Sequence, residues 1–186
     1  MRTPFRREWL LIVVFLVIAG MVAWKLTRPP RQSPSGTASA GEFFAPPFQL
    51  HDHRSRMVRL AAFQGRHPVL VVFYVASAPD QHPLLADLRK RFKDFEQRDI
   101  KILGISAATP YMNREAFKKG GDFPFPLLSD PTLQAHRTWN AFDTERTQPR
   151  QAAFVIDRRG VVRWYKADPD LPKDAAPILE QFDAVK

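Results

Sequence analysis

Residues 69–82 read VLVVFYVASAPDQH, and this stretch decides how the rest of the chain is interpreted. Its first seven residues are aliphatic or aromatic, so they predict a central strand that is covered on both faces of a sheet. The polar residues that follow predict a loop at the carboxyl end of that strand. The chain contains no cysteine. The loop therefore lacks a thiolate, which is the nucleophile in thiol chemistry.

Strand and helix patterns alternate along the chain around this stretch. Residues 48–52 and 57–60 predict an opening hairpin, and apolar residues at helical spacing over 84–95 predict a helix after the loop. A strand, a helix, an extended segment, a helix, a hairpin and a helix follow at 100–105, 113–119, 125–128, 133–142, 153–165 and 175–182. This alternation predicts an α/β fold, a mixed sheet with helices on both faces.

The beginning of the chain predicts a membrane anchor. From Trp9 to Trp24 the sequence has no charged residue, and with residues 25 and 26 it approaches the ~20 residues that cross a bilayer core. A tryptophan at each end suits the headgroup level of a membrane. The alternative is a cleaved secretory signal, because arginines precede the stretch and residues 38–40 (ASA) resemble a cleavage site.

Four segments follow from these patterns. They are a short basic tail at 1–8, a single transmembrane anchor at 9–26, a Pro/Ser/Gly linker at 27–47 and a globular domain at 48–186. A short basic tail before a first apolar segment usually stays in the cytoplasm. We therefore expect a cytoplasmic N-terminus and an extracytoplasmic domain, which would be periplasmic in a bacterium with two membranes.

The net charge of +9 does not indicate nucleic-acid binding. The first forty residues hold six basic groups and one acidic group, so the remainder of the chain is only mildly basic. In that remainder, Lys and Arg alternate with Asp and Glu, as in LRKRFKDFEQRD at 88–99, which is typical of a solvated helix face. We predict no nucleic-acid partner, because no reader motif accompanies the charge.

Ordered motifs along the domain carry a family resemblance. They are F-x-L-x-D at 48–52, V-x-L-x-x-F-x-G-R at 58–66, VLVVFY at 69–74, ILGIS at 102–106, FPFPLLSDP at 123–131 and FVIDRRGVVRW at 154–164. In this order they resemble the thioredoxin-fold peroxiredoxins (AhpC/TSA) and the related membrane-anchored TlpA/ResA-like proteins, and the later motifs favour the peroxiredoxin branch. The resemblance covers 43–182 and implies a thioredoxin-like, peroxiredoxin-type mixed sheet flanked by helices.

The resemblance implies a degenerate redox loop. In the peroxiredoxin alignment, Ala78 takes the place of a threonine, Pro79 matches the proline and Gln81 replaces the peroxidatic cysteine. In the TlpA-like alignment, the two sulfur positions become Pro79 and His82. Both alignments leave the loop without its nucleophile.

The second element of the redox site is altered as well. The resemblance implies either a thiolate-stabilising arginine or a cis-proline just before the FVID strand. Gln151 falls at that position, and a shift of one residue would place Arg150 there. Because the reacting sulfur is missing, we predict that the chain has no catalytic residues and is not an enzyme.

Other side chains offer weaker chemistry. His51 and His53 would project to one face of a strand, so a metal site is geometrically possible, with His82 as a third ligand. Exposed polar residues around Asp52 favour an ordinary turn instead, and we predict no metal and no cofactor. Ser77, Asp80 and His82 are the residue types of a hydrolase triad, but their closeness in one loop reflects sequence rather than the spatial arrangement that such catalysis needs.

Two functions are compatible with these features. The first is a catalytically inactive, membrane-anchored thioredoxin-fold protein that serves as an accessory subunit of a membrane protein complex, photosynthetic or respiratory, with the lipid bilayer and the other subunits as partners. The alternative is a membrane-tethered enzyme or metal-delivery factor of the peroxiredoxin/TlpA type. It would use His51, His53, His82 or Arg150 instead of sulfur.

Overall fold

The structure is a computed structural model that describes residues 43–75, 79–121 and 123–184. The basic tail at 1–8, the predicted anchor at 9–26 with Trp9 and Trp24, and the linker up to residue 42 lie outside the described residues, as does Ala78. No helix in the described part of the chain is long and apolar enough to span a bilayer.

Ten strands and five helices form within the described ranges. The strands are β1 (Phe43–Phe44), β2 (Gln49–Asp52), β3 (Met57–Arg59), β4 (Val69–Phe73), β5 (Lys101–Ser106), β6 (Leu127–Ser129), β7 (Phe142–Asp143), β8 (Gln148–Pro149), β9 (Ala152–Ile156) and β10 (Val161–Ala167). The helices are α1 (Pro83–Lys90), α2 (Phe92–Gln97), α3 (Pro110–Gly120), α4 (Gln134–Thr138) and α5 (Ala176–Asp183). Short 3₁₀ turns occupy Leu60–Ala62 and Pro79–Gln81.

Eight of the strands form one mixed sheet in the order β1-β10-β9-β4-β5-β6-β2-β3, and β7 pairs with β8 separately. β4 lies inside this sheet, parallel to β5 and antiparallel to β9, with Val71 opposite both Leu103 and Phe154. Every residue of β4 is buried. The sequence prediction of a central strand covered on both faces is therefore confirmed.

The alternation of side chains along β4 divides the core into two layers. Leu70 and Val72 pack with apolar side chains of α1, α2, α3 and α5 on one face of the sheet. Val71 and Phe73 pack on the other face against Trp139, which directly follows α4. Helices therefore cover both faces, which confirms the predicted α/β fold.

Two predicted helices differ in the structure. The helix expected over 84–95 divides at Arg91 into α1 and α2. The helix expected over 133–142 ends at Thr138, because Asn140 adopts the left-handed conformation with φ of 56°. The chain then turns back, and Phe142 lies in β7 rather than in a helix.

Candidate functional site

The predicted loop lies at the carboxyl edge of the central strands. β4 and β5 are parallel, so the segments that follow them emerge at the same edge of the sheet. After the undescribed residues 76–78, a 3₁₀ turn begins at buried Pro79 and ends at exposed Gln81. This turn packs tightly against the end of α3. A Cβ added to Gly120 would lie only 2.6 Å from Oδ1 of Asp80, so the contact leaves no room for a side chain there.

His82 is buried at the beginning of α1 and uses both of its ring nitrogens. Nδ1 accepts the backbone N–H of Leu85 at 3.3 Å and so caps the helix. The proton therefore sits on Nε2, which donates to Oε1 of Gln151. Nε2 of Gln151 in turn donates to Oδ2 of Asp168 at 2.9 Å. A continuous polar chain from His82 through Gln151 to Asp168 thus joins the loop to the segment before β9 and to the residues after β10.

Burial keeps His82 neutral within this series of hydrogen bonds. Burial lowers the pKa of His82, and the hydrogen bond to Gln151 and the charge of Asp168 oppose that effect only in part. With both ring nitrogens in hydrogen bonds, the neutral imidazole of His82 holds the start of α1 against the segment before β9. Binding a metal at His82 would require breaking the helix cap or the bond to Gln151.

The lowered pKa predicts a pH-dependent stability. The unfolded chain takes up a proton at His82 near pH 6.5, whereas the folded chain takes it up only at lower pH. The free energy of unfolding should therefore be fully retained above pH 6.5 and should fall as the pH drops from there through the folded pKa. We expect His82→Gln to remove this component, measured by urea unfolding of the full chain in mild detergent.

The matched control for this prediction is His51→Gln, which replaces an exposed histidine. The free energy of unfolding of the control should depend on pH as that of the parent does. The comparison covers the range from pH 6.5 down to pH 3.8, the ordinary pKa of aspartate. An unchanged slope in His82→Gln would contradict the assignment of a neutral, structurally bound His82.

The structure brings the second predicted element to the same place. Gln151 contacts His82 directly, whereas the neighbouring Arg150 donates from Nη2 to the backbone carbonyl of Asp168 at 3.1 Å. Asp168, which sequence reasoning did not single out, therefore binds both residues. Whether Gln81 is the counterpart of the peroxidatic cysteine stays a prediction.

The expectation that His51 and His53 share one face of a strand is wrong. β2 ends at Asp52, so His53 lies in the following turn rather than on the strand. His51 is exposed, whereas His53 is buried and stacks on Phe117 with ring centroids 4.0 Å apart. Asp52 is a turn carboxylate, as expected, and accepts the N–H groups of residues 54 and 56. Within the described ranges, no group of three or more His, Cys, Asp or Glu side chains could hold a metal ion.

A buried polar network behind the loop was not anticipated. The hydroxyl of Tyr74 and that of Ser106 both donate to Oδ1 of Asn113, at 3.4 and 3.1 Å. Nδ2 of Asn113 donates to Oγ of Ser129 at 2.8 Å. Burial raises the pKa of Tyr74 to about 12, although its contact with Ser106 works in the opposite direction. Tyr74 therefore stays a hydrogen-bond donor at physiological pH and ties β4 to α3.

A buried hydrogen-bonded pair of Asp130 and His136 on the other face of the sheet was also missed. Oδ2 of Asp130 accepts both the backbone N–H and the Nδ1–H of His136, at 2.9 and 2.7 Å. Asp130 directly follows β6, and His136 lies in α4. The pair therefore fixes the short helix against the sheet. The two residues lie in a turn and in the following helix, so the periodicity of a single element offered no signal for the pair.

Together, the central β4, the loop at its carboxyl end and helices on both faces define a thioredoxin-like fold with a peroxiredoxin-type arrangement. The model of the AhpC/TSA family matches residues 43–165, which is more than half of the chain. The chain belongs to this family. The predicted peroxiredoxin resemblance is thereby confirmed.

Relatives and solved structures agree with this assignment. Chloroplastic peroxiredoxin Q of Sedum lineare is 32% identical over 142 residues, which cover 71% of this chain and 75% of the relative. Its counterpart in Oryza sativa subsp. japonica is 34% identical over 122 residues, covering 64% of this chain but only 55% of the rice protein. The structure of Plasmodium yoelii thioredoxin peroxidase I has a TM-score of 0.69 at 25% identity and covers 78% of this chain and 90% of that one. Peroxidoxin BcpB from Mycobacterium tuberculosis also has a TM-score of 0.69, at 22% identity, covering 78% and 97%.

These findings overturn the prediction that the chain is not an enzyme. The matched family and the relatives are peroxiredoxins, a class of peroxidases. The prediction failed because it took the class of protein from one residue type. Family membership is carried by motifs along the whole domain, and these are retained although the sequence has no cysteine.

Proposed function

We propose that the protein is a membrane-tethered accessory subunit of a membrane protein complex, photosynthetic or respiratory, and that the loop end of its domain contacts a partner subunit. The apolar stretch at 9–26 supports the tether. The basic tail before it supports an extracytoplasmic domain. The Pro/Ser/Gly-rich sequence between residue 27 and β1 supports a linker with the reach to bring the domain to a partner beside the membrane.

The observation that carries the proposal is an exposed apolar surface around a loop without sulfur. We define the loop face as Val75, Gln81, Tyr111 and Met112. The exposed fractions of Val75, Tyr111 and Met112 are 50%, 66% and 58%. Val75 follows β4, and Tyr111 and Met112 open the helix that follows β5, so all three lie at the carboxyl edge of parallel strands. Grouped apolar side chains on a surface favour contact with another protein.

A second candidate function follows from the family. In peroxide reduction, a thiolate attacks the O–O bond and becomes a sulfenic acid, while the leaving oxygen takes a proton and departs as water or an alcohol. This chain has no sulfur of its own for that step. A partner's cysteine placed against the loop face would supply it, and the chain would then act as part of a peroxidase formed by two proteins.

Site-specific photocrosslinking tests contact at the loop face. The full chain carries a benzoylphenylalanine at Gln81 and is irradiated in its host's own membranes. We expect one discrete adduct with a membrane-complex subunit, because Gln81 is an exposed residue of the loop face. Replacing both Tyr111 and Met112 with serine should reduce the adduct, since the apolar contact is then lost.

The matched control places the same crosslinker at Gln97, an exposed residue at the end of α2, near the opposite edge of the sheet. Equal adducts from both positions, or none from Gln81, would refute the proposed contact. Hydroperoxide consumption by the purified complex, before and after alkylation of the partner's cysteines, tests the second candidate. Turnover that alkylation abolishes would favour the two-protein peroxidase.

A further inference from the structure

A cavity of about 730 Å³ lies at the edge of the sheet opposite the loop face. It is bounded by Pro68 just before β4 and by the carboxyl end of β9, and α5 closes one side. Ile100, Ile156 and Phe182 give it an apolar floor. This size is typical of pockets that take small organic ligands.

Arginines form the rim of this cavity. Four arginines and two aspartates line it, so its charge is +2 when all six are ionised. Arg163 binds Asp157 through Nε at 2.9 Å and Nη2 at 2.7 Å. Arg98 lies 3.2 Å from Asp183 on the exposed side.

Arg158 and Arg159 supply the uncompensated charge. Arg159 approaches Asp157 only at 3.5 Å and is mostly exposed. The side chain of Arg158 forms no ion pair with any carboxylate in the part of the chain that the structure describes. Guanidinium groups above an apolar floor are complementary to a ligand with an anionic head and an apolar tail.

Exposed aromatic side chains lie on the strand that pairs with the hairpin at this cavity. β1 pairs with β10 beside the hairpin, with Phe44 opposite Val161 and the N–H of Ala45 bonded to the carbonyl of Gly160 at 2.8 Å. The exposed fraction of Phe44 is 74%. Exposed aromatic residues beside arginines suit the boundary between headgroups and acyl chains. β1 is also the described element nearest in sequence to residues 9–26.

We propose that the arginine-rimmed cavity binds the phosphate of an anionic membrane lipid, with part of an acyl chain on the apolar floor. The domain would then lie with its hairpin edge on the bilayer and its loop face turned away from the lipid. This inference rests on the membrane tether proposed above, which would hold the domain close to the lipid. Binding itself is a property of the cavity and is measured separately from contact at the loop face.

Native mass spectrometry of the full chain released from a non-ionic detergent tests the proposal. The probes are phosphatidylglycerol and phosphatidylcholine of equal chain length. We expect the parent chain to retain one phosphatidylglycerol in preference to phosphatidylcholine. The double variant Arg158→Gln/Arg159→Gln should lose at least about tenfold in affinity for phosphatidylglycerol, because two charge-assisted bonds to phosphate are removed.

The matched control is Arg54→Gln/Arg114→Gln, which removes two exposed arginines away from the cavity. It should bind phosphatidylglycerol as the parent does, and near-UV circular dichroism should show all three proteins folded. Equal binding by the double variant, or no preference for the anionic lipid, would overturn the proposal. Displacement of the lipid by millimolar inorganic phosphate would also overturn it, since the site would then take a free anion. Loss of the loop-face adduct alone would leave this result unaffected.

Discussion

Replacing Asp130 with alanine is expected to lower the free energy of unfolding by roughly 3–5 kcal/mol, because three N–H donors lose their acceptor. Burial by itself would raise the pKa of Asp130, but hydrogen bonds from the side chain and backbone of His136 bring the pKa below its ordinary value of 3.8. The carboxylate is therefore ionised at neutral pH. Its loss leaves His136, which is fully buried, without its acceptor, and frees the N–H of Gln134 at the start of α4.

Urea unfolding of the full chain in mild detergent, followed by tryptophan fluorescence, measures this loss. Trp139 directly follows α4 and is a suitable reporter. Asp130→Asn keeps the shape of the side chain and should cost less, about 1–3 kcal/mol, because the amide oxygen still accepts one hydrogen bond. The control Glu96→Gln changes an exposed carboxylate and should stay within about 0.5 kcal/mol of the parent. A loss below about 1 kcal/mol in Asp130→Ala would show that the buried pair does not hold α4 in place.

Placing a cysteine at Gln81 is expected to produce the largest change in activity. The position is exposed and lies just before His82, the N-cap of α1. The positive end of a helix dipole lowers the pKa of a nearby thiol and so increases its thiolate fraction at neutral pH. We expect Gln81→Cys to consume hydroperoxide at least about tenfold faster than the parent chain, with dithiothreitol as the reductant.

Gln97→Cys is the matched control for this experiment. It also introduces one exposed cysteine, but at the last residue of α2, where the helix dipole disfavours the thiolate. Alkylation by iodoacetamide as a function of pH would compare the two thiol pKa values directly. Equal peroxide consumption and equal alkylation by the two variants would refute the view that the loop still provides a site for sulfur chemistry.

Local patterns predicted the secondary structure well where one period persists. The aliphatic and aromatic run at 69–75 predicted β4, and the two hairpins were found near their expected positions. The prediction failed where a turn interrupts a period. Apolar spacing continues through Phe142, but the left-handed Asn140 ends the helical segment earlier. His51 and His53 were assigned to one face by extending strand alternation to residue 53, although the predicted strand and β2 both end at Asp52.

The sequence by itself determined the order of the main strands and helices, although not β1, β7 and β8, together with the family and the absence of a thiol. These properties depend on residue type and on spacing within one element, where burial repeats with the period of a helix or a strand. Only the tertiary structure decided which polar side chains meet. His82 and Gln151 are 69 residues apart, and Arg98 and Arg158 come from separate elements that line one cavity. Such pairs depend on strand order and register, which bring distant segments together. No periodic pattern in the sequence reveals them.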